Sequence, residues 1–183
     1  MGCDIHLRVE RRRKVNPYPN DRNEWYNVGF RGEFSYRIYG MFARMAGVRG
    51  NGTNKVEFKP RGLPNDMNWA TCESFYMNVT SDEAAIDWGN NYCLKESAER
   101  WVEQGCSEWV DEAHTRVTDP DHHSHSWLIT QELRQCFDDC FKQEDGTMKP
   151  YSDYVEWLGL VSLCEGIEST GEYDCRVVFA FDN

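Results

Sequence analysis

The chain has 183 residues, of which 40% are hydrophobic, and this length predicts one domain over residues 1–183 with a sizeable core. Its formal net charge of −11 disfavours partners such as long DNA or RNA, because affinity for a polyanion depends on many phosphate contacts. No apolar run reaches the length of a membrane span, so no membrane partner is expected.

The first half of the chain alternates predicted elements with long irregular segments. Residues 3–12 predict a strand that buries one face. Residues 15–33, rich in Asn, Pro, Gly and Tyr, predict an irregular excursion. Residues 37–46 predict a short helix ended by Gly47. The glycine-rich segment 47–70 predicts an extended loop, and loops of this length inside a compact domain often carry function.

Helices predominate in the second half, which ends in a strand. Residues 95–113 predict an amphipathic helix interrupted near Gly105, and Thr130 is the expected N-cap of the next helix. A further helix is predicted at 151–164. Residues 175–181 predict a strand buried on both faces that pairs with the first strand. The expected fold is α+β, with a small, mainly antiparallel sheet that includes both terminal strands, several packed helices and long ordered loops.

The chain contains eight cysteines but no C-x-x-C pair. This spacing favours reduced, buried cysteines that act as small hydrophobic side chains, and it gives little support to a structural zinc site. The first residues lack the basic-then-apolar pattern of a secretion signal, which predicts an intracellular protein.

Histidines are concentrated in one short run. Three of the five lie within residues 122–125, directly ahead of a predicted helix, and His6 lies in the first predicted strand. Histidine moves protons near neutral pH and is the commonest metal ligand. Strand alternation predicts His123 and His125 on one side of the run and its two serines on the other. Separately, His122 is expected to be exposed to solvent.

Five motifs follow one another in order along the chain. They are Gly2-Cys3-Asp4-Ile5-His6, the segment 37–49, Arg61-Gly62-Leu63-Pro64, His123-Ser124-His125-Ser126-Trp127-Leu128 and Val178-Phe179-Ala180-Phe181-Asp182. Together they resemble a family of small proteins encoded largely by bacteriophages and prophages. The resemblance implies phage origin and the cytoplasm of the infected bacterial host as the place of action. It implies no mechanism.

The histidine motifs predict metal-free acid–base chemistry on a phosphodiester. Two imidazoles that flank a phosphodiester divide the proton transfers between a base and an acid, and His6 with one of His123 and His125 would fill these roles. Asp4, two residues before His6, would orient an imidazole and stabilise its charged form. No cofactor and no metal are expected in this interpretation.

Ligand binding is assigned to basic, aromatic and hydroxyl side chains of the same motifs. Residues 1–64 carry 13 Lys and Arg against 6 Asp and Glu, whereas the remainder carries 7 against 25. A basic first third favours one small anionic ligand, and guanidinium groups stabilise phosphate oxygens. The predicted ligand is a cyclic nucleotide signal, and phages have reason to destroy such signals of host defence. The predicted binding residues are Arg37, Tyr39, Arg49, Arg61, Ser124, Ser126 and Trp127.

Several alternatives remain open. The same residues suit a sponge that sequesters a nucleotide without cleaving it, since aromatic faces and arginines bind nucleotides in either case. A metal-dependent hydrolase would use His123 and His125 with His6 and Asp4, or with aspartates just before the run. A Cys3 nucleophile is disfavoured because alternation points it away from His6. An inhibitor that binds a partner through its acidic half, and association into a homo-oligomer, are further possibilities.

Structural roles compete for the same side chains. The arginines could form ordinary salt bridges with the acidic second half of the chain. Ser124, Ser126 and Thr130 could cap the next helix instead of binding a ligand.

Overall fold

Two β-sheets and five helices make up the part of the chain that the computed structural model describes, which is residues 3–18, 22–32, 37–50, 52, 55–83, 91–150 and 154–182. The strands are β1 Ile5–Arg13, β2 Tyr26–Gly32, β3 Tyr76–Thr80, β4 Tyr92–Leu94, β5 Arg116–Thr118, β6 His122–Ile129 and β7 Tyr173–Asp182. The helices are α1 Tyr39–Ala46, α2 Trp69–Cys72, α3 Lys95–Glu103, α4 Thr130–Phe141 and α5 Val155–Ser169. The predicted α+β fold class is confirmed.

The larger sheet has the strand order β2-β1-β7-β6 and is antiparallel throughout. Its central pair joins the two ends of the chain, with β1 and β7 in continuous register from Ile5 opposite Phe181 to Arg13 opposite Tyr173. The predicted pairing of the first and last strands is therefore confirmed. So is the burial of β7 on both faces, which follows from its central position.

Helices α1, α4 and α5 cover one face of this sheet. Four side chains of the sheet point into that layer and are 0% exposed in the main core: Leu7, Val9, Phe179 and Phe181. The opposite face carries the alternate residues and is covered by a smaller apolar group around Phe75, which packs on Val178 and Ala180. The larger sheet thus lies between a helical layer and a second, thinner layer, and the candidate site forms on the thinner side.

A smaller sheet with the order β4-β3-β5 belongs to this second side, and it was not predicted from the sequence. Its β3–β4 pair is parallel, and α3 packs on it through Ala98 against Cys93 and Val117. The helix predicted at 95–113 is confirmed only as far as Glu103. The rest of the predicted segment, from Gly105 with its φ of +72° to Ala113, is not helical. Strands of three to five residues offer too few alternating positions to stand out in a sequence.

Three local predictions need correction. The segment predicted to be irregular contains strand β2. At the start of α4 the N-cap position is taken by Ile129 rather than Thr130, and the side chain of Glu132 accepts a hydrogen bond from the Ile129 amide. Helix α5 begins at Val155 and ends at Ser169, later than predicted, and residues 151–153 lie outside the described part.

The loop predicted at 47–70 is confirmed where it is described as far as Asn68, whereas Trp69 and Ala70 begin helix α2. An ion-pair network joins the end of this loop to the sheet. Arg176 on β7 donates from Nε to Glu10 Oε2 at 2.8 Å and from Nη1 to Asp66 Oδ1 at 2.8 Å. Glu10 is 0% and Arg176 is 4% exposed. The Arg176 guanidinium also lies 4.0 Å from the Trp25 ring centroid, and Glu10 Oε1 accepts from the Asn68 amide. Every charge in this network has a partner, as burial demands.

All eight cysteines are free, and five of them are buried. The prediction of reduced cysteines that serve mainly as core side chains is confirmed for those five. In the described residues, no helix is both long and apolar enough to cross a membrane.

Candidate functional site

A β-bulge in β6 decides which histidines share a face. His123 lies opposite Phe181 and Ser126 lies opposite Phe179, so two residues of β6 face the single residue Ala180 of β7. The first of the two, Ser124, has a φ of +52°, in the left-handed region. An extra residue of this kind reverses the alternation beyond it.

The reversal overturns the predicted pairing of His123 with His125. The His123 ring lies beside Phe181, at 6.1 Å between ring centroids, and its Nδ1 lies 2.9 Å from Ser124 Oγ. His122 and His125 instead approach each other, with ring centroids 6.4 Å apart. The serines, too, fail to share a face as alternation predicted.

The first strand completes a histidine cluster, which we define as His6, His122 and His125. The His6 and His122 ring centroids are 4.4 Å apart. Phe75 meets His122 and His125 edge-on, at 6.1 Å and 6.5 Å between ring centroids. The cluster therefore joins residues from β1 and β6 against an apolar side chain of the second layer.

Asp182, the last residue of β7, holds His6. His6 Nε2 lies 3.2 Å from Asp182 Oδ2, and Asp182 Oδ1 accepts a 2.7 Å hydrogen bond from the Asp4 amide. Burial raises the pKa of Asp182, but the hydrogen bonds from the Asp4 backbone and from His6 outweigh burial and hold that pKa below its usual value. Asp182 is therefore a carboxylate that orients His6, the role predicted for Asp4.

Burial determines the protonation state of the other two imidazoles, those of His122 and His125. It lowers the pKa of His125 to about 4, and it lowers the pKa of His122 against the opposing effect of Asp119. Both rings are consequently neutral at neutral pH. His122 Nδ1 and His125 Nε2 are buried, with no hydrogen-bond partner among the described residues. Buried polar atoms left unpaired are costly and commonly mark functional positions.

A cleft of about 490 Å³ opens beside the bulge. One side is the segment at Gly62, whose amide donates to the His125 carbonyl at 2.9 Å, and the other is the chain that follows α3. Ser107 lies on that second side. It is 5% exposed, and its hydroxyl has no partner among the described residues. The described lining is Pro60, Gly62, Leu63, Asn65, Tyr76, Gly105, Cys106, Ser107, Glu108, Trp109, Val110, Thr118, His122, His123, Ser124 and His125.

Two of the three predicted arginines form ion pairs, and the pair of Arg61 lies with the acidic second half of the chain, as the structural alternative expected. Arg37 binds Asp4 through two hydrogen bonds, of 2.5 Å and 2.6 Å, and Arg61 binds Glu132 in the same two-pronged way. Arg49 lies beside the Cys3 thiol. Since Asp4 is occupied by Arg37, it is not the group that orients His6.

The remaining predicted ligand residues lie apart from the histidine cluster or serve the fold. Tyr39 packs edge-on against Phe42 at 5.8 Å between ring centroids. Ser126 is fully buried, and its hydroxyl accepts from the Arg61 amide at 3.2 Å. Trp127 lies under the Arg61 guanidinium, 5.0 Å from the ring centroid. Of the predicted ligand set only Ser124, at the bulge, lines the cleft.

His122, Asp182 and Ser107 are the site residues that the sequence analysis missed. A signal existed for Asp182: once the first and last strands are paired antiparallel, a carboxylate at the end of β7 must fall near the beginning of β1. His122 required the bulge to be known. Ser107 follows the end of α3 and carried no signal.

Two alternative chemistries find little support in this geometry. Among the described residues, no three His, Cys, Asp or Glu side chains are grouped as a metal site would need. Cys3 is fully buried, and burial raises the pKa of its thiol, so the reactive thiolate is disfavoured.

No family model, curated protein or solved structure matches this chain.

Proposed function

We propose that this protein binds a small cyclic nucleotide in the cleft and opens its phosphodiester without a metal ion. The observation that carries the proposal is the pair His122 and His125, which line one cleft with their rings 6.4 Å apart and each keep a buried ring nitrogen without a described partner. Two imidazoles with unused nitrogens at such a separation suit a base and an acid on either side of a phosphorus atom.

His125 acts as the base in this mechanism. Its pKa of about 4 keeps the imidazole unprotonated at neutral pH, so it can accept the proton of an attacking hydroxyl. As the new P–O bond forms, the bond to the leaving oxygen breaks, and that oxygen takes a proton from His122. Burial lowers the pKa of His122, so only the minor population of molecules in which its ring is protonated can donate this proton at neutral pH.

The carboxylate of Asp182 supports the acid. The His6 ring contacts His122 at 4.4 Å, and Asp182 holds His6 from the other side. A carboxylate behind an imidazole orients the ring and stabilises its charged form. In this relay of Asp182, His6 and His122, the charge of Asp182 raises the pKa of His122 against the opposing effect of His6, so Asp182 supplies the negative charge that a protonated His122 needs.

The cellular setting that we propose rests on the resemblance to phage-encoded proteins. A cyclic nucleotide that signals infection would be removed in the cytoplasm of the infected bacterium, which would make the protein an anti-defence factor. No arginine or lysine lines the described part of the cleft, so the neutral hydroxyl and backbone donors there would hold the phosphate.

One observation favours a second candidate, a sponge that binds the nucleotide intact. Burial lowers the pKa values of both cleft histidines, and a site with no protonated group at neutral pH lacks an acid for the leaving oxygen. The cleft would then sequester the ligand and release it unchanged when the protein is heat-denatured.

The test is to incubate the protein with cyclic mono-, di- and trinucleotides and ADP-ribose derivatives, with and without EDTA, and to separate the products by chromatography. We expect new products that persist in EDTA. Recovery of intact ligand only after denaturation would show that the protein sequesters the nucleotide without cleaving it. Products that disappear in EDTA would contradict the metal-free route, and no binding of any compound would contradict both candidates.

A matched pair of variants tests the relay. Asp182→Asn keeps an oxygen for the Asp4 amide but removes the charge behind His6, so we expect turnover to fall by about 10²- to 10⁴-fold with little change in binding. Asp4→Asn is the control, because Asp4 pairs with Arg37, and it should keep turnover within about threefold. Equal losses of turnover in both variants would show that Asp182 has no specific role in the mechanism.

A further inference from the structure

The wall of the cleft formed by Ser107, Glu108 and Trp109 has no part in the proton transfers. It is held in place by β5: the Glu108 amide donates to Thr118 Oγ1 at 2.9 Å, and the Thr118 amide donates to the Glu108 carbonyl at 3.0 Å. Trp109 forms an isolated bridge with Val117 of the same strand. This wall is therefore pre-organised, as a recognition surface should be.

The charge of the cleft restricts the number of phosphates that it accepts. Among the described residues that line it, Glu108 is the one carboxylate, and neither lysine nor arginine occurs. His122 and His125 add no positive charge at neutral pH because burial lowers their pKa values. A ligand with several phosphates would meet a cleft of net negative charge, whereas a ligand with one phosphodiester meets the least repulsion.

Among the described residues, no side chain forms a hydrogen bond or an ion pair with the carboxylate of Glu108. An ionised carboxylate is acceptor-only, with two oxygens side by side. Guanine offers two adjacent N–H donors on its pairing edge, which match that geometry. Adenine offers one donor next to an acceptor nitrogen, which a carboxylate repels.

Two neighbours support a base at this position. The Ser107 hydroxyl, in a residue only 5% exposed, lacks a described partner and can donate to a ring oxygen or nitrogen of the base. The Trp109 ring is backed by His114, with ring centroids 4.2 Å apart and planes 6° from parallel. An aromatic side chain held flat in this way provides a surface for stacking a base.

We propose that Glu108 determines base specificity and that the cleft takes a guanine nucleotide with a single phosphodiester. This inference rests on the proposed function in one respect, that the ligand of the cleft is a nucleotide. It deepens that function by naming the base, the number of phosphates and the residue that selects them. Cleavage is not required for it, since a sponge would use the same recognition.

The experiment is calorimetric titration of the full chain with cyclic GMP, cyclic AMP and cyclic di-GMP. We expect cyclic GMP to bind about 10- to 100-fold more tightly than cyclic AMP, the discrimination typical of a two-pronged contact with a base edge. Cyclic di-GMP should bind more weakly than cyclic GMP, and lowering the salt concentration should increase that difference.

Glu108→Gln is the diagnostic variant, and Glu103→Gln is its control. The amide at position 108 keeps one acceptor and gains a donor, so cyclic GMP should bind about 10- to 100-fold more weakly, while cyclic AMP binds as well as before or better. Glu103 is an exposed acid at the end of α3 that does not line the cleft, and its variant should bind like the original chain. Thermal unfolding of both variants checks that they fold.

The outcomes separate this inference from the function on which it rests. Equal or tighter binding of cyclic AMP, tighter binding of cyclic di-GMP, or an unchanged preference in Glu108→Gln would overturn the specificity while leaving a nucleotide in the cleft. If none of the three binds but another nucleotide of the wider panel does, the guanine assignment alone is wrong. Failure of the whole panel overturns both.

Discussion

Burial sets the protonation state of the cleft histidines and so divides the roles within the cluster. His125 and His122 lie against Phe75 and are largely shielded from water, which penalises their charged forms. His6 is more exposed and has Asp182 as its partner. Three residues of one type thus occupy three different environments, and the position of each in the sheet determines which role it can take.

The low pKa of His125 has a consequence for stability. The unfolded chain binds a proton at His125 as the pH falls below about 6.5, whereas the folded chain does not bind it until about pH 4. The stabilisation is therefore complete above about pH 6.5 and is lost as the pH falls towards 4. The loss attributable to this residue is at most about 3 kcal/mol.

Urea unfolding at a series of pH values measures this effect. His125→Gln keeps a polar side chain that does not titrate, so its free energy of unfolding should fall less steeply than that of the original chain over the same range. Carboxylates also titrate in this range, and the comparison with the variant cancels their contribution. Parallel curves for the two proteins would mean that His125 titrates normally in the folded state.

At the scale of the element, the bulge in β6 is the feature that creates the cleft. It turns His125 towards His122 and leaves His123 beside Phe181. Its first residue, Ser124, adopts a φ of +52°, which side chains branched at Cβ strongly disfavour.

Substitutions at Ser124 should therefore depend on shape more than on polarity. We expect Ser124→Val to lower the free energy of unfolding by about 1–2 kcal/mol, because valine is strained in the left-handed region. Ser124→Gly, which removes the strain, should leave stability within about 0.5 kcal/mol. Chemical denaturation of the two variants compares them, and a glycine variant less stable than the valine variant would show that the hydroxyl at His123 matters more than the backbone.

At the scale of the whole molecule, the network around Arg176 joins parts of the chain that are distant in sequence. Glu10 lies on β1, Asp66 on the loop that leads to the second layer, and Trp25 ahead of β2. The same loop supplies Gly62 and Asn65 to the cleft, so the network helps to fix one side of the site.

Breaking this network should be far more costly than breaking a surface ion pair. Arg176→Met leaves the Glu10 carboxylate buried and unpaired, and we expect the free energy of unfolding to fall by about 3–5 kcal/mol. Arg134→Met, which disrupts the more exposed pair with Glu165, is the matched control and should cost about 1 kcal/mol or less. Denaturant titration of both variants decides the point, and similar losses would show that the buried network has no special role.

Elements with strong periodicity were predictable from the amino-acid sequence. The apolar spacing after Thr130 and the buried run at the end of the chain predicted α4 and β7, and the matching character of the first strand predicted its partner. It also drew attention to the histidine run that supplies two rings of the cluster, since three histidines in four residues are hard to explain as core or surface alone. Such patterns are local, and local patterns survive folding wherever one face of an element is buried.

Which of these residues come into contact depends on the three-dimensional fold. Because β6 contains one extra residue, His122 rather than His123 lies near His125. The antiparallel register places Asp182, rather than Asp4, beside His6. Arg37 pairs with Asp4 and Arg61 with Glu132, and the chain after α3 supplies Ser107 and Glu108. A bulge, a strand register and the choice of an ion-pair partner depend on contacts between distant segments, and none of them produces a periodic pattern in the sequence.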